Sequence, residues 1–233
     1  MIARLLALTT AAALAAATLT GCVAAGPMST STVSVGDVTG LVLETSGDVE
    51  ISEGEPSLTI HAPERVLEVL TVDEKDGVLV LGRRPGLMPF ASGGIRYELT
   101  VPSLTSIEID GSGDVTSTVA GDTMTIDIDG SGDVSVTGLD ADTVAVTVSG
   151  SGDVGLSGDA GTLTVRIDGS GDVDADDLDA VDATIAIAGS GDAEVHVTGT
   201  LGIDISGSGS VRHRGGAEVE VDISGSGDVD AVD

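Results

Sequence analysis

The chain has 233 residues and a formal net charge of −30, with 34 glycines, six prolines, one Cys, one Phe, one Tyr and no Trp. So strong an acid excess excludes nucleic acid as a partner, because phosphate binding needs basic patches, and it disfavours electrostatic attachment to anionic lipid. Val, Ile, Leu and Ala carry the apolar content, so the chain is not a disordered acidic tail. A core almost without aromatics must be thin and evenly spaced, as in stacked strands.

The first segment, "MIARLLALTTAAALAAATLTGC", has a single basic residue, Arg4, followed by an apolar run from Leu5 to Leu19 broken only by threonines. That run is too short to span a bilayer comfortably and ends in small residues, so it reads as a secretory signal. Leu19-Thr20-Gly21-Cys22 resembles the bacterial lipobox, in which cleavage before a lipid-modified cysteine leaves that cysteine at the new N-terminus. Residues 1–21 are thus expected to be a cleaved lipoprotein signal peptide. Cys22 is the lipidation site and the link to the bilayer, and two acyl chains anchor stably where one is marginal. Residues 22–34, small and without periodicity, are expected to form a flexible tether.

Residues 35–100 contain "LVLETSGDVEI", "SLTIHA", "VLTVDEKDGVLVLG" and "IRYELTVP". All read as strands, with "EKDG" a hairpin turn. Between two of them lies "GRRPGLMPFASGG" (82–94), which carries Arg83, Arg84, Met88 and the only Phe, Phe90. This loop is the expected contact with a protein or glycan partner.

From residue 101 onward one phrase recurs. "IDGSGDVT" at 109–116 returns in related form until "ISGSGDVD" at 223–230. Taking the first glycine of each GSG gives Gly111, Gly130, Gly150, Gly169, Gly189, Gly207 and Gly225, a period of 18–20 residues. Glycine at this density destroys helices, and a fixed period of this size signals a solenoid. Apolar residues alternate with polar ones, and from 183 to 231 every odd position is Ala, Val, Ile, Leu or Gly except His213. Alternation of period two is that of strand side chains, and here it continues through the turns. The glycines therefore face inward at a corner where a side chain would crowd the adjacent coil. An inward ladder is expected through Ile109, Ile128, Val148, Ile167, Ile187, Ile205 and Ile223, each worth roughly 1.5–3 kcal/mol on burial. The fold class is all-β, a right-handed parallel β-helix with coils of 18–20 residues, handed as parallel crossovers are. It spans 35–233 as one domain, regular over 101–233.

Strands around "VPSLTSIEIDGSGDV" (101–115), followed by iterated GSGDV turns behind a lipobox, resemble the "putative auto-transporter adhesin, head GIN domain" family. The resemblance covers roughly 36–230. It implies a right-handed β-helix, often secreted or lipid-anchored, with an adhesin-like role and no agreed catalytic residues.

The turn aspartates Asp114, Asp133, Asp153, Asp172, Asp192 and Asp228 form a candidate cation ladder, interrupted by Ser210. Stacked oxygen ligands in glycine turns suggest calcium. The calcium-binding β-roll, however, uses the nonapeptide G-G-x-G-x-D-x-U-x, and here Asp follows the second glycine directly. Two carboxylates about 4.8 Å apart repel by only about 0.9 kcal/mol in bulk-water dielectric. An exposed ladder is thus tolerable without metal, and Asp serves turn hydrogen bonding and solubility equally well. The histidines His61, His196 and His213 are far apart in sequence, and no Ser–His–Asp order or phosphate loop stands out. The expectation is a non-enzymatic extracytoplasmic surface module that needs no cofactor, with a calcium-binding solenoid as the alternative.

Overall fold

The computed structural model describes residues 26–85 and 94–232. Its chain begins with β1 (Met28–Val33), β2 (Gly40–Leu43), β3 (Asp48–Glu53) and β4 (Ser57–Pro63), followed by the single turn α1 (Glu64–Leu67). Next come β5 (Leu70–Lys75), β6 (Val78–Arg83), β7 (Arg96–Val101), β8 (Ser106–Ile109) and β9 (Val115–Ser117). The repeats supply β10 (Thr123–Ile128), β11 (Val134–Val148), β12 (Val154–Ile167), β13 (Val173–Ile187) and β14 (Ala193–Val197). The last are β15 (Thr200–Ile205), β16 (Ser210–Arg214), β17 (Glu218–Ile223) and β18 (Asp228–Ala231). The architecture is an all-β solenoid of about six turns.

Two parallel stacks make its main walls. One holds β6, β2, β8, β10, the second halves of β11, β12 and β13, then β15 and β17. The other holds β7, β3, β9, the first residues of β11, β12 and β13, then β14, β16 and β18. A short third wall arises where β11, β12 and β13 bend, aligning Leu139 with Gly158 and then Leu178.

Parity persists through the glycine corners because hydrogen bonding does. Ser131 N–H donates to Gly111 O (3.1 Å), Ser151 to Gly130 O (2.9 Å) and Ser170 to Gly150 O (2.9 Å). The chain thus turns the corner while still paired to the coil before it. Ile109, Ile128, Val148, Ile167, Ile187 and Ile205 are all buried, as the alternation predicts. Ile223 is the exception at 40% exposure, since it lies on the last coil and has no described coil over it.

The first coils are not stacked in chain order. β2 pairs with both β6 and β8, and β3 with both β7 and β9. The coil of β6 and β7 therefore lies outside the one that precedes it in sequence. The path there is antiparallel: β4 returns along β7, and β5 folds onto β6. The "EKDG" turn between β5 and β6 places Asp76 (φ 52°) and Gly77 (φ 80°) in the left-handed region, as a two-residue hairpin of this hand requires.

Two boundaries differ from the sequence reading. Met28–Val33, expected as tether, is strand β1 and pairs antiparallel with β4 over all six residues. Its hydroxyl and β-branched residues suit a half-buried edge. Gly82 and Arg83, expected in the 82–94 loop, belong to β6 opposite Thr71 and Leu70. Arg84 continues that pairing, donating its N–H to Val69 O (2.9 Å). Both arginines are exposed; Met88, Phe90 and Cys22 lie outside the described residues.

Candidate functional site

The corner geometry explains the GSGD phrase residue by residue. A Cβ on Gly130 would sit 2.1 Å from Gly111 O, and one on Gly150 would sit 2.0 Å from Gly130 O. Contacts that short against backbone have no relief, so only glycine allows the coils to stack at their corner. The intervening serines point outward and are exposed.

The aspartates act between coils. Asp114 Oδ1 accepts the backbone N–H of Asp133 (3.0 Å), and Asp133 Oδ1 accepts that of Asp153 (2.9 Å). Asp153 serves Asp172 (2.9 Å), Asp172 serves Asp192 (2.8 Å) and Asp192 serves Ser210 (2.7 Å). Each carboxylate thus satisfies an N–H that the tight corner leaves without a carbonyl partner. Ser210 keeps its backbone N–H bond to Asp192 but brings no carboxylate of its own to the column. Asp228 closes the column on the last coil. Among the described residues, no three or more His, Cys, Asp or Glu side chains converge as a metal centre requires.

Beside this ladder runs a second outward column. Registers place Glu50, Thr116, Ser135, Gly155, Asp174, Glu194, Arg212 and Asp230 in one line. The small residues Thr116, Ser135 and Gly155 leave a shallow depression of about 330 Å³ against Asp114, Asp133 and Asp153. A neighbouring depression of about 270 Å³ is lined by Asp48, Glu50, Arg96 and Asp114. Arg96 Nη1 lies 3.7 Å from Glu50 there.

Several of the sparse bases are paired with acids. Arg166 makes a two-pronged pair with Asp168 (2.8 Å on each arm), and Arg212 pairs with Glu194. Arg214 reaches across a coil to Asp176, donating Nε to the carboxylate and Nη2 to the carbonyl, both at 2.5 Å. These bonds raise its pKa above the usual arginine value. His196 Nδ1 lies 2.5 Å from Asp179, and His61 Nε2 lies 3.3 Å from Glu98. Neither histidine pairing was legible in the sequence, because each partner lies on another coil or strand.

Tyr97 is wholly buried, with its hydroxyl 3.4 Å from Thr45 Oγ1, and burial raises its pKa. It offers no surface for stacking sugars. Glu108 also has a raised pKa, from partial burial first and then from Asp110, Asp127 and Glu44 around it.

The solenoid is shared by solved proteins. A putative adhesin from Bacteroides fragilis NCTC 9343 superposes with a TM-score of 0.85 at 23% identity, covering 88% of this chain and 97% of that one. A "putative lipid binding protein" from Parabacteroides distasonis ATCC 8503 gives 0.72 at 22%, covering 89% and 98%. A putative adhesin from Parabacteroides merdae ATCC 43184 gives 0.68 at 21%, covering 89% and 97%. No curated protein matches the sequence. The model of the family described as "putative auto-transporter adhesin, head GIN domain" matches residues 37–217, from just before β2 to just before β17, and the chain belongs to that family.

Proposed function

We propose that the protein is a non-enzymatic, adhesin-like binding module of the cell surface, held to the membrane by a lipid on Cys22. The solenoid is taken as right-handed, the hand of nearly all parallel crossovers. Its walls present a rigid face to a protein or glycan partner. The observation that carries this reading is the unbroken outward column from Glu50 to Asp230. At about 4.8 Å per coil it gives a straight face roughly 34 Å long. Such a face suits extended contact, and family membership points the same way. The lipobox residues Leu19-Thr20-Gly21-Cys22 support the anchor, and Arg83 and Arg84 at the mouth of the 82–94 loop remain the expected specific contact.

Two measurements test it. Cys22→Ala should abolish incorporation of labelled palmitate and release the protein to the medium; continued membrane retention refutes the anchor. Cells displaying the protein should adhere to at least one surface in a panel of glycans, matrix proteins and lipid vesicles. That adhesion should fall when 85–93 is replaced by a short glycine linker. Indifference of displaying and non-displaying cells to the whole panel refutes the binding role.

A further inference from the structure

The aspartate ladder has one member out of line. From Asp114 to Asp192 each ladder carboxylate accepts a backbone N–H from the next coil. Asp48 holds the same position one coil earlier in the stack, since Val49 N–H donates to Asp114 O as Val115 N–H donates to Asp133 O (2.8 Å each). Yet the Asp48 carboxylate neither accepts a hydrogen bond nor pairs with a base among the described residues. It lines the depression of about 270 Å³ instead, together with Glu50, Arg96, Asp114 and Thr116.

Registers set the spacing of these groups. Arg96 on β7, Asp48 on β3 and Asp114 just before β9 stand in one row across three adjacent strands, with Glu50 and Thr116 in the next row. At about 4.8 Å per strand the first row runs about 10 Å between its end Cα atoms, and Glu50 lies about 7 Å along the strand from Asp48. All four charged side chains are exposed. Arg96 is loosely held, with Nη1 3.7 Å from Glu50 and its side chain 59% exposed, so its guanidinium keeps donors for another oxyanion. Asp114 gives one oxygen to Asp133 N–H and keeps the other.

Charge decides what kind of ligand fits. Three carboxylates, Asp48, Glu50 and Asp114, face one guanidinium, so the depression carries an excess of negative charge. A simple zwitterion offsets none of that excess, and a polyamine sets an ammonium against Arg96. A molecule with one carboxylate and two amines meets both conditions. Its carboxylate takes the planar, two-pronged pairing that a guanidinium favours, and its amines take the acids. A long side chain ending in an amine, as in lysine or ornithine, also reaches along the row from Arg96 towards Asp114.

We infer that the depression across β7, β3 and β9 is a binding site for a free amino acid with an amine-bearing side chain, of the lysine or ornithine class. The carboxylate lies on Arg96, the α-ammonium on Asp48 and Glu50, and the terminal ammonium on Asp114. The site sits at one end of the outward column that carries the adhesive reading. It goes beyond that reading, since a ligand of this size needs none of the column's length.

The test is titration calorimetry on the full chain in detergent with lysine, with norleucine, which lacks the terminal amine, and with cadaverine, which lacks the carboxylate. Lysine should bind saturably with a Kd below about 1 mM, and the other two at least about tenfold more weakly. Asp48→Asn breaks no hydrogen bond of the fold and should weaken lysine binding at least about fivefold at an unchanged melting temperature. Arg96→Gln should erase the preference for lysine over cadaverine. Absence of saturable lysine binding overturns the inference, as does wild-type affinity in Asp48→Asn. Equal binding of lysine and cadaverine also overturns it, by reducing the site to loose cation association. Lysine binding by a protein whose displaying cells adhere to nothing upholds this site and refutes only the adhesive role.

Discussion

The Asp153 carboxylate accepts the backbone N–H of Asp172, one coil further on, at 2.9 Å. The ladder is therefore a hydrogen-bond seam between coils. Asp153→Ala should cost about 1 kcal/mol by leaving that N–H without its partner, while Asp153→Asn, which keeps an acceptor oxygen, should cost less than half as much. Chemical denaturation of the two variants checks this. Equal losses would show that charge matters rather than the acceptor.

The same seam bears on calcium. With one oxygen of five ladder carboxylates already bonded, millimolar calcium should leave the melting temperature unchanged and give no saturable heat. A rise that Asp153→Asn removes would establish the calcium-binding alternative.

At the corner, Gly150→Ala places a Cβ 2.0 Å from Gly130 O and should destabilise by about 3 kcal/mol or prevent folding. Gly202 on β15 has nothing within 4 Å of the same added atom. Gly202→Ala should therefore stay within about 0.5 kcal/mol of wild type. Similar effects at the two sites would contradict the close corner packing.

Arg214 ties the coil of β16 back to Asp176 on β13. Arg214→Ala should accelerate amide exchange across 210–231 while leaving 123–167 as protected as before. Arg214→Lys should restore little, because a single ammonium cannot grip carboxylate and carbonyl together. Uniform loss of protection along the chain would mean that the bond is not a local staple.

Glu108 supplies a pH test. Its carboxyl is raised by partial burial and by Asp110, Asp127 and Glu44, so the folded state holds this proton more tightly than the unfolded chain. Its penalty is therefore absent below the unfolded-state pKa and grows as pH rises through the folded-state pKa. Glu108→Gln should raise the melting temperature by on the order of 1 °C at pH 7, and the gain should fade as pH drops below the carboxylate range. A gain that persists at acid pH would point to a packing effect.

Much of the coil was legible because it is local. The 18–20-residue spacing of Gly111, Gly130, Gly150 and their successors, with apolar parity carried through each turn, determined a β-solenoid and its inward ladder from Ile109 to Ile205. Strand side chains alternate with a fixed period, so such a pattern leaves one face for the core. Met28–Val33 and Gly82–Arg83 escaped this reading, since their strand character comes from partners distant in sequence, Ser57–Pro63 and Leu70–Thr71.

The GSGD phrase marks the division most sharply. Its residues alone determined a corner, with glycine inward and aspartate outward, because steric and polar preferences act within a few residues. Tertiary structure alone decided what the aspartate bonds, that β6 and β7 lie outside β2 and β3, and that Arg214 reaches back to Asp176. Those facts depend on which coil lies above which, and stacking order is set by contacts between residues far apart in the chain.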